Sequence, residues 1–216
     1  MIQTFFPHAL SAAALLGLSA MAVATDRPDP LAAVPSLPLA GLGAAAEGAY
    51  SVGAHRGTYS RPAGAGQSVT SFTLSGPLIE DSIAAQCGMA RRALNLDSAD
   101  FAAQREAYRC RFTHQGRAIP ARFELQTEKP GKAATLLPLA QRGSIALDRV
   151  ILEIEYRPGV DQGRTYRFSH QGKVLGALDL ADDPALRIAP ASDVPTSRAI
   201  VAASVALRLL DTAARE

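Results

Sequence analysis

From Ala199 to Leu210 the chain is alanine, isoleucine, valine and leucine, broken only by Ser204 and Arg208. Asp193 and Pro195 stand just ahead of it, an acidic cap and an early proline that start a helix. The run is far short of the roughly 20 residues that span a bilayer. A helix apolar all round but too short for lipid has to be wrapped by protein, so the rest of the chain must supply a wall on every side.

The material for that wall is strand. Two stretches are near copies, Arg111-Phe112-Thr113-His114-Gln115-Gly116-Arg117 and Arg167-Phe168-Ser169-His170-Gln171-Gly172-Lys173, 56 positions apart. Each alternates up to a Gln-Gly pair, whose glycine supplies the positive φ of a tight turn, and then resumes as an apolar strand. The chain therefore uses one β-hairpin twice. In the first copy Tyr108, Cys110, Phe112 and His114 share one face, with Arg109, Arg111 and Thr113 on the other. Beyond the turn Ile119, Ala121, Phe123 and Leu125 keep to one inward face. In the second copy Leu175 and Ala177 give way to Leu178 and Leu180, and a bulge near Gly176 accounts for the one-residue change.

Further strands are expected over 50–59, 68–74, 82–87, 108–114, 118–126, 144–147, 150–156, 164–170, 173–180 and 185–188. Asp97 caps an expected short helix over 99–107, with Asp100 near its positive end. So many short strands in one domain indicate a barrel or a two-sheet sandwich with the helix packed on one face.

The stretch from Tyr166 through His170, Gln171, Gly172 and Leu175 to Asp179, followed by the apolar helix over 199–210, resembles the tubby-like C-terminal superfamily, which includes the phospholipid scramblases and the LURP-one-related proteins. The resemblance implies a mainly β fold, an antiparallel barrel of about twelve short strands around a buried hydrophobic C-terminal helix. In some members it also implies binding at membranes or to phosphoinositides. No ligand residue carries over, because the chain has no matching Lys/Arg cluster.

Residues 1–24 lack Lys, Arg, Asp and Glu, are apolar from Ala9 through Leu18, and end on Ala22-Val23-Ala24. They read as a signal peptide cleaved after Ala24, placing the mature chain in the periplasm or outside the cell; an uncleaved anchor is the rival reading. Residues 25–47, rich in Ala and Pro, read as a flexible leader, and 48–216 as a single domain. Cys87 and Cys110 are the two cysteines. In an oxidising compartment they pair, and closing that loop stabilises the fold by roughly 3 kcal/mol. A redox pair or metal ligands would be the other use of two thiols, but no CxxC spacing supports it.

The formal charge is +2, with 22 basic and 20 acidic residues. No basic stripe suits nucleic acid. His114 and His170 occupy equivalent hairpin positions, each three residues before a cation, Arg117 or Lys173. If the hairpins were neighbours, the imidazoles would share a mouth and hold a metal or anion; otherwise each ring packs over its own turn. Arg109 and Arg111, with Arg91 and Arg92, form either a cationic patch for anionic lipid or polysaccharide, or a solubilising outer face. No GxSxG, no phosphate-cradling loop and no spaced acid/base pair is found, Glu80-Asp81 and Asp182-Asp183 reading as turn solvation. No cofactor is expected. The sequence thus points to a non-enzymatic, envelope-associated binding module whose partner is a membrane surface, a lipid or an envelope protein. The alternatives are a carrier holding an apolar ligand in the barrel, and an enzyme or metal site built on the two histidines.

Overall fold

A computed structural model describes residues 29–61, 69–91, 106–127, 139–156, 158 and 164–213. Twelve antiparallel strands close into one barrel, each bonded to its neighbours in sequence, with β1 meeting β12 to complete the ring. The strands are β1 (Leu37–Ala40), β2 (Glu47–Val52), β3 (His55–Ser60), β4 (Thr70–Gly76), β5 (Ile79–Arg91), β6 (Glu106–His114), β7 (Arg117–Thr127), β8 (Gln141–Leu147), β9 (Val150–Tyr156), β10 (Thr165–His170), β11 (Lys173–Asp179) and β12 (Ala185–Ile188). The helix α1 (Val194–Ala213) follows.

Eight strands make a barrel just wide enough for side chains to fill, so twelve leave a lumen. Here α1 fills it. From Ala199 through Val205 to Leu207 every residue is buried with 0% exposure, which no helix lying on an outer face can achieve. Its alanines at 199, 202, 203 and 206 form one stripe, and larger side chains such as Ile200, Leu207 and Leu209 occupy the others. Buried Ser204 satisfies its hydroxyl by donating to the carbonyl of Ile200, 2.8 Å away. The wall contributes Phe72, Phe112, Phe123 and Phe168 to the same core. The sandwich alternative is excluded by the closed ring.

Both ends of α1 are tied down. At its start the Asp193 carboxylate accepts from the Thr196 N–H at 2.9 Å, and the hydrogen bonds of the Thr196 side chain and backbone hold the acid below the usual carboxylate range. Arg198 then donates to the Leu78 carbonyl and to Asp148, both at 2.6 Å. At its end Asp211 pairs with Arg164 and Arg208, and Thr212 bonds Arg61.

Five two-residue turns, 53–54, 77–78, 115–116, 148–149 and 171–172, gather at the end of the barrel where α1 begins. The duplicated hairpins are structurally equivalent there. Gln115 (φ 49°) and Gly116 (φ 75°) match Gln171 (φ 51°) and Gly172 (φ 77°), the pair of positive φ values of a type I′ turn. The second copy shifts register by one between Phe168 and Ser169, with Leu175 as the extra residue beside Gly176. The first copy is bulged as well. Arg111 pairs Arg122 but Thr113 pairs Ala118, so β7 carries two extra residues at 119–121. An even insertion restores the inward face and an odd one flips it. The first copy therefore looks regular in sequence although it is the more distorted.

Three expectations need correction. Residues 25–47 are not all leader: β1 lies within them, pairing Leu37 and Pro38 with Leu186 and Ala185, and Leu39 and Ala40 with Val52 and Ser51. The run Leu-Pro-Leu-Ala buries Leu39 and closes the last gap, so that neither β2 nor β12 is left as an open edge. The single strand expected over 50–59 is two strands, turned at Gly53 with φ 56°. The helix over 99–107 lies mostly outside the described residues, and its last two positions, Glu106 and Ala107, belong to β6.

Candidate functional site

At the turn end β7 and β8 part company. Their ladder runs from Thr127↔Gln141 to Arg122↔Ala146 and stops, because β7 bulges away while β8 turns back at Asp148 and Arg149. The gap is a cleft of about 530 Å³, a volume in the range of small-ligand sites. Ile83, Ala121 and Leu147 make its floor, with Ile79, Ile119 and Pro120 on its walls. Pro120 has no N–H to offer a ladder, which suits it to the bulge.

The rim is charged. His114 Nε2 meets Asp81 Oδ2 at 3.2 Å, and Asp148 takes the Arg198 guanidinium. Arg149, held at φ 67° on the turn tip, makes no ion pair among the described residues. Such a site offers an apolar bed, two ion pairs that fix its edges, and a spare cation.

Other clefts among the described residues lie elsewhere. One of about 820 Å³ follows the outer face of β2–β7 and is walled by small hydroxyl residues such as Thr58, Ser71 and Thr113. One of about 320 Å³ lies at the far end, among Tyr108, Tyr156, Tyr166, Arg164 and Asp211. Burial pushes the Tyr108 and Tyr166 hydroxyls well above the usual phenol range, and Tyr166 donates to Gln141. The turn-end cleft and these two touch α1 only at its ends, at Arg198, Leu210 and Asp211.

The residues singled out from sequence divide accordingly. His114 and His170 do stand at the same end, but their hairpins are not neighbours, because the β8–β9 hairpin lies between them. His114 faces Asp81, whereas His170 Nδ1 bonds the Ile151 carbonyl at 2.9 Å. The shared metal mouth is therefore not formed, and no group of three His, Cys, Asp or Glu suited to a metal occurs among the described residues. Arg117 and Lys173 are exposed beside their turns. Arg109 is taken by Glu124 at 3.0 Å, leaving Arg111 exposed across from Arg122; Arg92 lies outside the described residues. Cys87 and Cys110 are directly opposite on β5 and β6, 4.0 Å apart at Cα, and form a buried disulfide.

Sequence reading missed Asp81, Ile119, Pro120, Arg149 and Arg198 as members of one site. The available signal was Pro120 in the first hairpin where the second has Gly176, since each is a residue that ends regular pairing. Nothing local in the sequence indicates that Asp148-Arg149 would face it.

The molecule is a closed antiparallel barrel with an internal helix and a cleft at its turn end. Comparison of the chain with protein-family models, with curated proteins and with solved structures returned no match.

Proposed function

We propose that this chain is a non-enzymatic binding module of the periplasm or cell exterior, carried there by residues 1–24, and that it binds through the cleft between β7 and β8. The observation that carries the reading is the cleft itself, an apolar floor with a charged rim on a barrel whose lumen already holds α1. Its carboxylates are engaged, Asp81 with His114 and Asp148 with Arg198, which suits recognition better than proton transfer. Membership of the tubby-like superfamily is part of the proposal, supported by the twelve strands and the internal helix. A carrier holding its ligand inside the barrel has less support, because the helix takes that space.

The test uses anilinonaphthalene sulfonate, an apolar fluorophore with one anionic group. The folded full chain should bind it saturably, and Ile119→Gln and Arg149→Glu should each weaken binding while leaving near-UV circular dichroism unchanged. Absence of saturable binding, or binding indifferent to both substitutions, overturns the site.

A further inference from the structure

The internal duplication provides a second view of the cleft. β6 and β7 correspond to β10 and β11, and the neighbour of β11 is β12, as the neighbour of β7 is β8. Arg122 pairs Ala146, and its counterpart Leu178 pairs Leu186. There the resemblance ends. β8 turns away after one more residue, whereas β12 runs on beside the bulge, pairing Ala177↔Arg187 and Gly176↔Ile188. The Ala189 N–H then donates to the Leu175 carbonyl at 2.8 Å. Ile188 and Ala189 thus lie along the second hairpin in the place that is cleft beside the first, before a turn closed by the Ser192 N–H on the Ala189 carbonyl at 2.9 Å leads into α1. The residue equivalent to Leu175 is Ile119, which lines the open cleft and has no strand partner on the β8 side.

Charge separates the two hairpins. Beside the second hairpin the Asp193 carboxylate is engaged in capping α1 through Thr196. Beside the first hairpin the rim carries Arg149, in no ion pair among the described residues.

We propose that the cleft accepts an extended segment of a partner protein that ends in a carboxylate, its backbone laid beside β7 as Ile188 and Ala189 are laid beside β11. The backbone of Ile119 and Ala121 supplies strand-like pairing, as in recognition by strand addition. Ile79, Ile83 and Leu147 take its apolar side chains, and Arg149 faces its carboxylate. This inference rests on the cleft being the binding site, and it adds the class of ligand.

The probe is fluorescein-labelled Ile-Ala-Pro-Ala-Ser-Asp, a copy of the chain's own segment, added to the full-length protein. It should raise anisotropy saturably, displace anilinonaphthalene sulfonate, and slow amide exchange at Ile119 and Ala121. Replacing its Asp by Asn with an amidated terminus should weaken binding about tenfold, as should Arg149→Glu. Amidating the terminus alone tells whether the side-chain or the terminal carboxylate is read. If dodecanoate displaces the fluorophore and the peptide does not, the site takes lipid; the peptide inference then falls while the cleft stands. If neither the fluorophore nor the peptide binds, both fall.

Discussion

Gly176 on β11 stands against Ile200 of α1 so closely that a Cβ on the glycine would come within 3.1 Å of the Ile200 Cδ1, and equally close to the Arg187 carbonyl. The bulge of the second hairpin and the threading of the helix are therefore one feature. Gly176→Ala should destabilise the fold by about 1–3 kcal/mol through overpacking, and Ile200→Val should recover part of that loss. Urea unfolding of the two single variants and the double variant measures the coupling. Purely additive effects would separate the bulge from the helix.

Ala203 has 0% exposure at the middle of α1. Ala203→Arg places an unpaired charge in the lumen at a cost of several kcal/mol, comparable with the whole stability of a domain. No soluble protein with a cooperative unfolding transition is expected. Ala203→Ser, which can bond its own helix backbone as Ser204 does, should stay folded. A well-folded Arg variant would place the helix outside the barrel.

The Cys87–Cys110 bridge spans 23 positions of sequence between adjacent strands. Replacing both cysteines with alanine should lower stability by about 3 kcal/mol in the chain-entropy account, while the barrel still forms. Chemical denaturation of the oxidised protein against the double variant reads the difference. Mass analysis without reductant should find no free thiol in protein taken from the periplasm, and two reactive thiols there would overturn the export proposal.

His55 sits buried at the start of β3, its Nδ1 near the Val52 carbonyl at 3.3 Å. Burial lowers its pKa below the ordinary imidazole value, only partly opposed by that hydrogen bond. The unfolded chain therefore takes up the proton first. Above about pH 7 His55 adds no pH dependence; as pH falls below about 6.5 the unfolded state is favoured, until the folded pKa is passed. Unfolding free energy measured from pH 7.5 to 5 should fall less steeply in His55→Asn than in the unaltered chain. Equal slopes would show that the imidazole is solvated in the folded state.

How much of this was legible depends on the range of the interaction. The apolar run over 199–210 admits few solutions, because a helix without a polar face must be enclosed. The paired Gln-Gly turns were equally direct, since the positive φ values at Gln115, Gly116, Gln171 and Gly172 are local demands. The bulge at Leu175 showed itself as a change of parity. Its counterpart at 119–121 did not, because two extra residues leave the alternation intact. β1 was hidden for another reason. Four residues containing a proline carry too little pattern to compete with their Ala/Pro-rich surroundings, and they become a strand only because Val52 and Leu186 stand ready on either side.

The site shows the same division. An enclosed helix and a repeated hairpin follow from side-chain polarity and backbone preference within short stretches, and two cysteines in an exported chain imply a disulfide. The repeat also set His114 and His170 in equivalent positions and thereby suggested that they meet. It is the closed ring that puts the β8–β9 hairpin between them, sets His114 against Asp81, and turns the neighbour of β7 back where the neighbour of β11 continues. Strand order and the length of each ladder are set by closing the ring around α1. That is a condition on the whole chain, and no local pattern contains it.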